Sequence, residues 1–292
     1  MLEMHRARSF CELILRAKLV YLGTVRFETV MQPSAALSKF ATWTKNLGIA
    51  CAVRYSLYRI FNRMLGECLL TLKVRGFPQP VYCRAGGSDL RVFAQVLANR
   101  EYRCLDQSHI SGLVIDCGAN IGLSTLYFLR RFPNVHVIAL EPDPDNFKML
   151  ARNTAAFRDR VTLLQAAVWN KNTSLVFSEA RALNRQEWAK TCREAEEREV
   201  PQIQAFDIPT ILGMSSFKRV GLLKVDIESG ELALFDHSAK SWLDLVDVIT
   251  IELHGAACEK AFHSIVRAED FVVSYCEELT VCLRKTRCSP LH

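Results

Sequence analysis

No window of about eighteen uncharged apolar residues occurs in this chain, so the sequence predicts no membrane span. Its eleven cysteines include no C-x-x-C pair and no zinc-ligand spacing, which argues against a structural zinc site. An odd number of thiols without a framework, some inside apolar runs as at Cys117 and Cys282, fits a reducing compartment. Arg16 and Lys18 interrupt the first apolar stretch before it reaches the length of a leader core. A cytoplasmic protein is therefore expected. Internal repeats and low-complexity tracts are also missing.

Acidic residues are scarce at one end. Between Met1 and Leu65 ten basic residues face only Glu3, Glu12 and Glu28, while the whole chain carries a net charge of +6. The rest of the chain is thus close to neutral, which argues against a nucleic-acid substrate, because phosphate contacts need a basic surface. Leu13, Leu15, Leu19 and Leu22 recur among basic residues in a helical pattern. Residues 1–78 are expected to form a helical N-terminal extension, a cap that helps build the main site. A helix for a partner or membrane surface is the alternative.

Beyond that segment, Val81–Arg84 reads as a short strand, and Ser88 or Asp89 can cap a helix reaching Ala98. From Gly112 short apolar runs alternate with helical stretches, the pattern of a parallel α/β sheet. Strands are expected at Leu113–Cys117, His136–Leu140, Thr162–Ala166, Leu222–Ile227 and Val248–Leu253. Helices are expected at Leu123–Phe132, Pro144–Phe157 and Gly230–Ser238, with a closing antiparallel pair at Phe271–Cys276 and Leu279–Leu283. Val168–Ser178 suggests a hairpin turning at Asn170-Lys171-Asn172. The charged residues 179–199 suggest a solvated helix, or an insertion over the site.

The strongest motif is Val114-Ile115-Asp116-Cys117-Gly118-Ala119-Asn120-Ile121-Gly122, a buried strand breaking into a glycine turn before a helix. Gly118 and Gly122 permit a tight turn and close approach of a ligand to the backbone. Asn120 stands where G-x-G-x-x-G needs its second glycine, and no G-K-[ST] follows, so neither a dinucleotide nor a nucleoside triphosphate is indicated. An adenosyl ligand without a pyrophosphate suits the turn. Asp116 is placed to bind the ammonium of an amino-acid tail. Glu141, about twenty positions past the turn, can accept hydrogen bonds from both ribose hydroxyls. Asp143 can cap the next helix, and Ala166 lies where an adenine ring would rest.

The segments Val114–Gly122, Ala139–Asn146 and Leu222–Glu231 resemble the FkbM family of S-adenosylmethionine-dependent methyltransferases, as do Arg84, Ser88-Asp89-Leu90 and Glu101-Tyr102. The resemblance covers about residues 80–285, and a methyltransferase domain is expected over residues 79–288. It implies a Rossmann-like class I fold, a seven-stranded, mostly parallel sheet with an antiparallel C-terminal strand. It also implies S-adenosyl-L-methionine as cofactor and O-methylation of a hydroxyl on a small molecule, sugar or natural product. The family pattern K-[IV]-D-[IV]-E-G-x-E is met by Lys224-Val225-Asp226-Ile227-Glu228-Ser229-Gly230-Glu231, with Ser229 in place of the first glycine.

Asp226 and Glu228 follow the fourth strand, where open α/β sheets place their ligands. An alcohol needs a base to become a good nucleophile, and clustered carboxylates raise one another's pKa toward that task. Asp226, Glu228 and His254 are the candidate catalytic residues, with Glu252 beside them. No ligand spacing marks a metal site, although magnesium on these carboxylates is an alternative to a metal-free base. The rival readings are an NAD-dependent oxidoreductase, disfavoured by Asn120, and a non-catalytic scaffold, disfavoured by the intact turn and Glu141. The acceptor and the oligomeric state are not encoded in any readable motif.

Overall fold

The computed structural model describes residues 33–62, 64–66, 68–177, 191–196, 199–267 and 270–285. The apolar positions Leu13 to Leu22 lie outside the described residues. Helices α1 (Pro33–Leu47) and α2 (Ile49–Phe61) meet at Gly48, whose φ of 85° suits a residue without a side chain. Leu47, Cys51 and Tyr55 are buried in the same core as Phe93, Leu97 and Tyr102. Trp43 Nε1 donates to Asn99 Oδ1 at 3.0 Å, and Asn46 Nδ2 to the Ala98 carbonyl at 2.8 Å.

Two strands follow, β1 (Leu69–Leu72) and β2 (Val81–Arg84), paired antiparallel from Leu69 with Arg84 to Leu72 with Val81. The strands of this hairpin lie on either side of residues 78/79, and the first of them is extended where residues 1–78 were expected to be helical. Helix α3 (Asp89–Phe93) runs into a π-helical turn at Ala94–Ala98. Ser88 makes no capping bond, and Asp89 turns its carboxylate to Arg84 instead.

The remaining elements are β3 (Gly112–Cys117), α4 (Leu123–Arg131), β4 (Val135–Leu140), α5 (Pro144–Thr154), β5 (Val161–Leu164), β6 (Ala167–Val168), β7 (Thr173–Phe177), β8 (Cys192–Glu194) and β9 (Ile203–Phe206). They continue with α6 (Ile208–Gly213), β10 (Val220–Val225), α7 (Glu231–Leu234), β11 (Val248–Glu252), α8 (Ala256–Ile265), β12 (Phe271–Cys276) and β13 (Leu279–Arg284). The main sheet has seven strands in the order β12-β13-β11-β10-β3-β4-β5. All are mutually parallel except β13, which runs against both β11 and β12. Period-two alternation sends Val114 to the face covered by α4 and the N-terminal helices, and Leu113 and Ile115 to the face covered by Ile211, Phe235 and Phe262. Both faces are covered, which is why the strands read as unbroken apolar runs. Asp143 caps α5 as expected, accepting from the backbone of Asp145 and Asn146 at 3.0 and 2.9 Å.

A second sheet, ordered β6-β9-β7-β8, corrects two expectations. β6 and β7 do not pair with each other. β9 lies between them, parallel to β6 and antiparallel to β7. Cys192–Glu194, expected to be helical, is a strand on the edge of β7; residues 179–190 lie outside the described residues. No helix among the described residues is long and apolar enough to cross a membrane.

Candidate active site

The turn after β3 is shaped by its contact with β10. Gly118 sits at φ 75°, and a Cβ there would collide with the carbonyl oxygen of Asp226. Asn120, at φ 51°, adopts the left-handed conformation normally left to glycine, and its own Oδ1 accepts from the Ile121 amide at 2.8 Å. The departure from the dinucleotide pattern therefore keeps a glycine-like backbone and adds a polar side chain.

Asp116 is not among the residues that line the cleft. It is fully buried, accepting from Ser124 Oγ at 2.7 Å and Thr125 Oγ1 at 2.6 Å, with Lys224 Nζ 3.2 Å away. Asp116, expected to meet a ligand ammonium, is enclosed by partners on α4 and β10 and does not line the cleft. Lys224 also donates to the carbonyls of Gly118 (2.7 Å) and Cys117 (3.2 Å). Burial alone would discharge this lysine, but the charges of Asp116 and Asp226 outweigh burial and hold its pKa above the ordinary value.

Glu141 ends β4 with its carboxylate turned onto the glycine turn. Its Oε2 accepts from the Asn120 amide at 2.8 Å and its Oε1 from the Asp143 amide at 2.9 Å. Burial lifts it to about 7 despite those bonds. Arg84 Nη2 joins Asp89 Oδ1 (2.9 Å) to Asn146 Oδ1 (2.6 Å), and Asn146 Nδ2 reaches Glu141 Oε1 at 3.5 Å. Arg84 and Asp89, both within the family resemblance, thus brace the Glu141 corner.

The cleft beside these groups is lined by Gly118, Asn120, Glu141, Ala166, Asp226 and Glu228. Trp169, Phe177 and Cys192 also wall it, contributed by the small sheet and its loop. Sequence reasoning missed these three, since the pairing that brings them there joins distant short strands. None of the described residues before Gly118 lines the cleft.

Past Glu228 the cleft meets a group of carboxylates around one imidazole. His254 Nδ1 donates to the fully buried Glu231 at 3.0 Å. Its Nε2 lies 3.6 Å from Glu228, 3.7 Å from Glu252 and 3.9 Å from Asp226. The bond to Glu231, opposed by burial and aided by the surrounding charges, raises His254 to about 9. Burial and the charge of Asp226 raise Glu252 to about 7, and burial also raises Glu228 and Glu101. Glu228 and Ser229 both have positive φ, 49° and 76°. Ser229 therefore occupies a glycine-type conformation at the position where the family pattern has glycine.

Two sets of donor atoms lie close enough to share a cation, each within 4.8 Å: Asp226, Glu228 and His254, and Glu101, Glu252 and Glu278. A protonated imidazole has no lone pair to offer, so the all-oxygen set suits a hard cation such as magnesium better. Glu101 reaches this set from the helical turn before β3, a convergence that no local spacing announces.

Strand order, the single reversed strand, the glycine turn and the carboxylate ending the next strand define a class I, Rossmann-like methyltransferase architecture. The chain belongs to the methyltransferase FkbM domain family, whose pattern matches residues 116–279. It is similar to Methyltransferase 1 of Beauveria bassiana (strain ARSEF 2860), 27% identical over 48% of this chain and 64% of that protein. It is equally similar to Methyltransferase sdnD of Sordaria araneosa, 27% identical over 51% of this chain and 70% of that one. Among solved structures, the FkbM methyltransferase from Methylobacillus flagellatus KT aligns over 85% of this chain and 59% of its own, with 12% identity and a TM-score of 0.43. The chain thus spans under two thirds of the length of the first and last of these.

Proposed function

We propose that this chain binds S-adenosylmethionine in the Glu141 cleft and methylates a hydroxyl of a small-molecule acceptor beside Glu228. The observation that supports this reading most is continuity. One cleft is lined both by the glycine turn and Glu141 and by Asp226 and Glu228, the start of the carboxylate group. The donor set fits the cofactor: a desolvated carboxylate for ribose hydroxyls, Ala166 and Val168 for a flat base, and Asp226 in place of Asp116 for the ammonium. S-adenosylmethionine supplies a methyl already activated on a sulfonium, so alignment in a dry cleft provides much of the rate.

His254, held as a cation, is not the base in this reading. It gathers Glu228 and Glu252 and steadies their charge as one of them takes the acceptor's proton. A carboxyl near 7 is half ionised at neutral pH, which suits a general base. The cleft encloses only about 80 Å³, below the roughly 300–1,000 Å³ usual for ligand sites.

Calorimetry with S-adenosylmethionine and NAD tests the reading. We expect micromolar binding of the former, about −8 kcal/mol, and a change in tryptophan fluorescence that Trp169→Phe removes. Binding of NAD with no response to S-adenosylmethionine overturns it in favour of an oxidoreductase.

A further inference from the structure

A second cavity, of about 460 Å³, lies away from the cleft and is lined by Lys45, Arg75, Arg100, Arg130 and Arg131. Lys45 closes α1, and Arg130 and Arg131 close α4. The cleft lies at the other end of α4, a helix of nine residues and so about 13 Å away along its axis. No carboxylate lines the cavity among the described residues. Asp106, just outside it, is shared by Arg100 at 2.5 Å and Arg131 at 3.0 Å, and also accepts from Tyr127. One acid thus serves two guanidiniums, and Lys45, Arg75 and Arg130 have no acidic partner among the described residues.

Basic residues at helix C-termini are often there only to complement the helix dipole. That accounts for Lys45, Arg130 and Arg131 one by one, but not for Arg75 and Arg100, which come from other segments. Nor does it account for how the side chains are fixed. Arg75 donates to the Lys45 carbonyl at 2.6 Å, and Arg130 lies across Gly76, where a Cβ would strike its guanidinium. Arg100 is held at φ 57°, a strained conformation for a residue with a Cβ. Burial and the charges of Arg100 and Arg75 together lower the pKa of Arg130, the signature of like charges held together.

We infer that this cavity is a binding site for a small molecule carrying a phosphate group with two or more negative charges. Converging guanidinium forks match phosphate oxygens, and several unpaired cations need more than one negative charge to balance them. A concave pocket with Val74, Phe77 and Leu97 in its walls suits a small ligand with an apolar portion. An extended polyanion would instead need a basic stripe across the surface.

The test titrates the full chain with inorganic pyrophosphate by calorimetry. We expect saturable binding that weakens as salt rises and falls at least tenfold in Arg75→Gln and in Lys45→Gln. Lys148→Gln, a distant exposed change, should leave it unaltered, as should saturation with S-adenosylmethionine. Absence of saturable binding at millimolar pyrophosphate overturns the proposal, as does equal binding by all three variants. A loss as large in Lys148→Gln means only diffuse attraction and also overturns it. Vesicles containing phosphatidylinositol phosphate and a single-stranded RNA oligomer form the remaining arms. Binding to either that pyrophosphate fails to displace assigns the cations to a surface and defeats the small-molecule site.

Discussion

The two ends of α4 collect charge of opposite sign and resolve the crowding differently. Toward the cleft, Asp226, Glu228, Glu231 and Glu252 surround the single imidazole of His254. Burial, joined by the charge of Asp226, shifts Glu252 and Glu228 upward, so these two can take up protons. At the far end four arginines and a lysine surround a cavity, and a guanidinium cannot give up its proton in a protein. An acidic cluster can neutralise itself and so become responsive to pH. An arginine cluster must be neutralised by something from outside. Residues Arg100 and Glu101 are neighbours in sequence and belong to opposite ends.

The largest test of that contrast removes the proton acceptors. Glu228→Gln and Glu252→Gln should each be assayed for kcat across pH with an identified acceptor, and loss of the base should cost about 10²–10⁴-fold. In the parent protein kcat/KM should rise with pH through about 7, as the raised carboxyl ionises. The variant that loses this acidic limb identifies the base. If both keep the limb and the rate, the cluster is structural.

Glu141→Ala should weaken S-adenosylmethionine binding by about 10- to 100-fold, the usual worth of hydrogen bonds to a charged group. Pyrophosphate binding at the arginine end should stay the same, measured by calorimetry on one sample. A parallel fall in both would show that the two ends are not independent.

His254→Gln leaves four carboxylates without their shared cation and should cost about 1–3 kcal/mol of stability by urea denaturation. Because the folded pKa is raised, the histidine's contribution is present in full below about pH 6.5 and is lost as pH rises through about 9. The deficit of the variant should therefore shrink between about pH 6.5 and pH 9 and level off above that. A deficit independent of pH would assign it to packing.

The smallest effect is expected at Ser229. Ser229→Gly relieves about 1–2 kcal/mol of left-handed strain and loses about 0.4–1 kcal/mol to a freer unfolded chain. The net should be a modest rise in melting temperature with the acidic limb unchanged.

The parallel strands were legible because burial on both faces leaves unbroken apolar runs, and the turn was legible because Gly118 and Gly122 have no substitute for tight backbone contact. Asp143 was legible as a cap for a local reason, a side chain bonding amides two and three residues on. What escaped depends on distant partners. The burial of Asp116 is decided by Lys224 on another strand. The small sheet rests on strands as short as Ala167–Val168, whose partner β9 comes after the charged insertion. The arginine cavity draws on α1, the loop after β1, the segment before β3 and the end of α4, so no window of sequence displays it.

The enclosure of Lys224 bears on how the chain reaches its native state. During synthesis β3 emerges with Asp116 at its end, and the matching cation follows only after roughly a hundred further residues. At ribosomal rates that delay is about 5–20 s. Until β10 docks, the center of the sheet holds a carboxylate that cannot be shut away from water. β10 likewise cannot insert its lysine without β3 in place. The central pair therefore closes as one long-range event, the kind of step that slows folding. Chaperone demand should be greatest in that interval.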